Sequence, residues 1–213
     1  MTLQTYRDRL RLELSDLDVE TWEDDQLDQA LRQALQEYSH AIPDEAITTL
    51  TFTTAVREIS VSTLARLLDI QRVWLPYTAA DPEHPPNWRT DFELWPGSIL
   101  YIADDPKPAV NDVARIWFTR THTLNGLDTA SADTILTEHT EILVAGGAAY
   151  AAYARARALA ETFGANDQAY RQVNSYAFQH LNQFRALLNR IREKPAGGLV
   201  ALAPARRRRV PRA

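Results

Sequence analysis

Five histidines, His40, His84, His122, His139 and His180, are the side chains of this sequence best suited to hold a metal or carry a proton near neutral pH. None stands in an HExxH, HxH or similar pairing that sets two imidazoles on one ion, so no metal site is expected. His84 lies within Pro82-Glu83-His84-Pro85-Pro86, which reads as a proline-fixed surface loop. The lack of cysteine removes disulfides, thiolate metal sites and a cysteine nucleophile together. Asp16-Leu17-Asp18-Val19-Glu20 begins like a calcium loop, but Thr21 stands where the loop needs glycine and Leu27 where it needs a bidentate glutamate. The adjacent acids Glu23-Asp24 and Asp104-Asp105 read as solvated loop carboxylates rather than an acid–base pair. There is neither a phosphate-cradling glycine loop nor a G-x-S-x-G elbow. The chain is expected not to be an enzyme and to need no cofactor.

Recognition is the chemistry that remains. Residues 196–213 carry Arg206, Arg207, Arg208, Arg209 and Arg212 and no acid. With 23 basic and 28 acidic residues in all, the rest of the 213-residue chain stands at a net charge of −10. The choice of arginine throughout suits bidentate pairing with carboxylates or phosphates, and Leu199, Val200 and Leu202 are apolar anchors for the same segment. A body so acidic is a poor general nucleic-acid binder, because counterion release needs clustered basic groups. The tail alone supports the alternative of a nucleic-acid-binding module.

These residues need elements to carry them. Leu3, Tyr6, Leu10 and Leu14 recur at helical spacing among charged residues, and after Trp22 a second helix is expected. Asp24 or Asp25 would cap it, Leu27, Leu31, Ala34, Leu35 and Tyr38 would form its stripe, and Pro43 would end it. From Ile47 the period becomes two, through Leu50 and Phe52, then Ile59 and Val61. A helical turn over 63–68, an extended stretch at 73–77 and a polar loop through Trp88 follow. Phe92 to Ile102 reads as a hairpin about Trp95-Pro96-Gly97-Ser98, and Val113 to Arg120 as a strand with both faces partly covered.

Beyond a loop containing Gly126, the helical period returns near Thr137 in a helix rich in small residues. Gly146 and Gly147 would each cost it roughly 1 kcal/mol relative to alanine, which suggests close approach by a neighbouring helix. A last helix, capped by Asn166 or Asp167, carries Tyr170, Val173, Ala177, Leu181, Phe184, Leu188 and Ile191 as a heptad-like seam. That seam packs either on the Gly146 helix or on another subunit. No apolar run approaches the length of a membrane span, and no signal peptide is apparent. The expected fold is α+β: a helical bundle made of N-terminal helices (1–45) and two long C-terminal helices (123–194), a β-rich insertion (46–122), and an extended arm (195–213).

This order of features, with Trp22-Glu23-Asp24-Asp25-Gln26-Leu27 opening a helix, an alanine-rich helix after the insertion and a basic tail, resembles the head-to-tail adaptor (connector) proteins of tailed bacteriophages. The resemblance implies a structural virion protein at the head–tail interface, assembled from the host cytoplasm into a ring, commonly a dodecamer. It implies that the ring docks beneath the portal protein, meets a downstream tail protein, and extends a channel through which DNA passes without sequence-specific binding. The arm residues Leu199, Val200, Leu202, Arg206 to Arg209 and Arg212 would then bind the portal. No membrane partner is implied.

Overall fold

The computed structural model describes residues 1–16, 21–80, 86–163 and 168–193. Leu3–Glu13 forms α1, whose spacing puts Tyr6 and Leu10 on one fully buried face. The Thr2 hydroxyl caps it by accepting the Thr5 amide at 3.3 Å. Asp24–Ala41 forms α2, but its N-cap is Glu23, not Asp24 or Asp25. The Gln26 side chain accepts the Glu23 amide at 3.2 Å, so the two aspartates fall in the first turn, where free N–H groups favour carboxylates. The helix stops two residues before Pro43, which has no amide to continue the ladder.

The long helices are α3 (Thr140–Phe163) and α4 (Gln168–Glu193). The α-helix thus begins later than Thr137, because Thr137–His139 is a tight 3-10 turn in which the His139 amide bonds the Leu136 carbonyl at 2.8 Å. Residues Asn166 and Asp167, expected to cap α4, lie outside the described residues. Met1–Asp44 and Thr121–Lys194 make up one packed unit. Its core joins Tyr6 and Leu10 of α1, Leu27, Leu31 and Tyr38 of α2, Leu143 and Ala148 of α3, and Phe184 and Leu188 of α4. Each such leucine contributes roughly 1.5–3 kcal/mol by leaving water.

Glu45–Arg120 belongs to the other unit, inserted in chain order between the helices. Its strands are β1 (Asp44–Thr51), β2 (Glu58–Ser60), β3 (Leu67–Trp74), β4 (Trp88–Arg89), β5 (Phe92–Trp95), β6 (Ile99–Ile102) and β7 (Val113–Arg120). They form a four-stranded sheet in the order β1-β7-β3-β4 and a three-stranded sheet in the order β2-β6-β5. Phe52, Val61, Ile70, Val73, Leu100, Ile102, Ile116 and Phe118 fill one core between the sheets.

Three expectations need correction here. Strand β1 starts at Asp44, directly after Pro43, rather than at Ile47. Leu67 and Leu68 open β3 instead of closing a helical turn, since Arg66 at φ 61° ends the turn and Leu67 packs on the core. Trp88 is in a strand paired with Trp74, not in a loop. The β5–β6 hairpin is as expected, turning on Pro96, Gly97 and Ser98, with Gly97 at φ 83° in the region glycine tolerates best.

Candidate interaction surfaces

Among the described residues two histidines, His122 and His139, are buried, and both are used structurally. His122 bonds the Ile42 carbonyl through Nε2 at 2.9 Å and Thr134 through Nδ1 at 3.0 Å, while its amide donates to the Ser39 hydroxyl at 2.9 Å. His139 Nδ1 meets the Tyr38 hydroxyl at 2.7 Å. Together they tie the end of α2 to the segment leading into α3, and burial pushes the Tyr38 phenol up to about 12. His180 stacks on Tyr176 with ring centroids 4.0 Å apart, and His84 lies outside the described residues. Among the described residues no group of three or more His, Asp or Glu side chains is arranged to hold a metal ion. No described helix is long and apolar enough to cross a membrane.

Polar clamps register the helices. Glu37 of α2 receives Arg185 of α4 at 2.5 Å and the Tyr150 hydroxyl of α3. The guanidinium holds the Glu37 carboxyl below its usual range, and burial with the Glu37 hydrogen bond pushes Tyr150 up to about 12. Arg7 grips Asp28 with two bonds of 2.8 and 2.7 Å. Arg11, buried, donates to Asp16 at 3.1 Å, to the Trp22 carbonyl at 2.8 Å and to Asp24 at 2.7 Å, pinning the chain as it approaches α2. Nothing in local sequence spacing marks these pairs, whose members lie from 5 to 148 residues apart.

The structure sets the two helical glycines against different neighbours. A Cβ on Gly146 would stand 2.7 Å from the Phe184 ring of α4, and one on Gly147 2.9 Å from Leu10 of α1. On α4, Ala177, Phe184 and Leu188 are buried, and Tyr170, Val173, Leu181 and Ile191 are half-buried. Phe178, next to Ala177 on the flank of this seam, is 67% exposed. Helix α4 runs to Glu193, and Leu199, Val200, Leu202, Arg206, Arg207, Arg208, Arg209 and Arg212 lie beyond the described residues.

The β unit carries two contrasting outer faces. Arg72 is in register with Trp117, and Trp74 with Arg115, on the side of the four-stranded sheet away from the core. Trp88 packs edge-on to Trp117 at 5.0 Å; Arg72 lies over the Trp88 ring at 5.7 Å and Arg115 over Trp117 at 5.1 Å. On the three-stranded sheet, Leu100 and Ile102 enter the core, so Tyr101 points outward with Glu58 and Glu93 as its cross-strand neighbours. Trp95 stacks on Tyr101 at 4.3 Å. The sequence signal for the first face was the alternation of Arg115 and Trp117; the placement of Trp88 beside them was missed with its strand.

The model of the SU10 adaptor protein family matches residues 1–209. No curated protein matches the chain. Among solved structures, a chain from the neck of an empty GTA particle computed with C6 symmetry is 16% identical, with 70% of this chain and 77% of that chain covered at a TM-score of 0.32.

Proposed function

The chain belongs to the SU10 adaptor protein family, and from that premise we propose that it acts as a head-to-tail adaptor ring in a tailed-phage particle. The observation that carries the proposal is the family match from residue 1 to residue 209, which spans the helical unit, the β unit and most of the arginine-rich segment. Copies of the chain, commonly twelve in the head-to-tail adaptors it resembles, assemble in the host cytoplasm beneath the portal protein. They extend the DNA channel toward a downstream tail protein at the head–tail interface of the virion.

Two physical arguments support this reading. Outside residues 196–213 the chain has a net charge of −10, and an acidic wall lets DNA slide where fixed positive charge would bind phosphate and slow it. An arm that follows the last helix can order as it docks, with Leu199, Val200 and Leu202 seated in an apolar groove and Arg206 to Arg209 and Arg212 paired with portal carboxylates. The test is capture of the full-length chain and of a chain ending at Pro195 by purified portal protein. Full-length capture with loss on truncation is expected, and equal capture of both would remove the arm's assigned role. Retention on DNA at low salt that vanishes with the tail, without portal capture, would favour the nucleic-acid-binding module instead.

A further inference from the structure

We infer that copies of the chain join head to tail through the β unit, with the Arg72–Arg115 face of the four-stranded sheet in one copy covering the Glu58–Glu93 face of the three-stranded sheet in the next. The inference rests on the ring reading and names the contact that closes it. The two sheets enclose one core, so their outer faces look in opposite directions and cannot meet within a chain. A contact between unlike faces of identical copies is heterologous, and such contacts build rings where the rotation closes.

The two faces are complementary in charge and alike in build. Neither Arg72 nor Arg115 forms an ion pair among the described residues, and neither do Glu58 and Glu93. The only carboxylate registered among the outward residues of β3 and β7 is Asp69, opposite Thr119, at the far end of the strand pair from Arg115. Each face sets its charges beside half-buried aromatic rings: Trp88 and Trp117 on one, Trp95 and Tyr101 on the other. Each arginine lies over a ring, Arg72 at 5.7 Å from Trp88 and Arg115 at 5.1 Å from Trp117, contacts that narrow its freedom and lower the ordering cost of pairing. Tryptophan, tyrosine and arginine are also the residues that most often anchor protein interfaces. The occupant that this complementarity selects is a second copy, since Arg72 and Arg115 of one face can pair with Glu58 and Glu93 of the other.

Charge reversal tests the contact with the full chain. Arg72→Glu with Arg115→Glu makes both faces acidic, and Glu58→Arg with Glu93→Arg makes both basic. Each double variant alone, assembled with portal protein and counted as rings by electron microscopy, should lose assembly by roughly tenfold or more. An equimolar mixture of the two should recover it, because unlike copies alternate around the ring; recovery also shows that both variants fold. Undiminished rings from either variant alone, or failure of the mixture while circular dichroism shows both folded, would overturn this contact and leave the ring reading standing. Failure of the wild-type chain to form any ring with portal protein would overturn both.

Discussion

Replacing Gly146 with alanine isolates the close approach of α3 and α4. The added Cβ would meet three Phe184 ring atoms at 2.7, 2.8 and 2.9 Å, inside any normal contact distance. The ring is fully buried, so it cannot swing into solvent, and relief requires shifting the ring or separating the helices. Overpacking of this kind costs about 1–3 kcal/mol. Alanine returns about 1 kcal/mol of helix propensity relative to glycine. The net effect of Gly146→Ala is a destabilisation of about 1 kcal/mol, or a fall in Tm of about 2–4 °C for a chain of this size. Helix melting followed at 222 nm reads it. In a Phe184→Leu background the clash is removed and the same change should stabilise, giving a coupling of about 1–3 kcal/mol between the two positions. Stabilisation by Gly146→Ala in the wild-type background, or additivity with Phe184→Leu, would refute the packing argument.

Two other perturbations follow from the helix clamps. Glu37 has a folded-state pKa below its unfolded value of about 4.3, so its contribution is present above that pH and is lost as pH falls through the folded value. Urea midpoints should therefore be lower for Glu37→Gln at pH 6, with the gap to wild type closing below about pH 4; a gap independent of pH would contradict the Arg185 attribution. Arg11→Ala removes the buried partner of Asp16 and should cost about 3 kcal/mol in urea denaturation, the lower end for a broken buried pair because Asp16 keeps the Thr21 and Trp22 amides. A loss under about 1 kcal/mol would show that the pair is effectively solvated.

Much of the architecture was legible from period alone. The four helices, the β5–β6 hairpin and β7 sit where apolar spacing put them, because each turns apolar residues to a core at the period of a regular element. The errors fall where local chemistry competes with period. Glu23 is not among the residues usually preferred at an N-cap, and the Gln26 side chain that completes the cap is visible only as a spacing of three. Trp88 follows a proline-rich stretch, and its strand is two residues long, too short to show alternation. Arg66 adopts a positive φ that favours glycine, so the turn before β3 carried no glycine to mark it. The buried His122 and His139, and the Glu37–Tyr150–Arg185 clamp, depend on partners far apart in sequence and on the packing that brings them together. The outer faces of the β unit are of the same kind: the alternation of Arg115 and Trp117 was readable, but the contrast between two opposed sheets exists only once both are built.

Electron microscopy of the full-length chain mixed with its portal protein tests the adaptor assignment most directly. A closed ring of copies stacked coaxially on the portal is expected, with density for residues 196–213 running from the end of α4 onto the portal surface. Portal particles bearing no added ring, at concentrations where the chain remains folded, would contradict it.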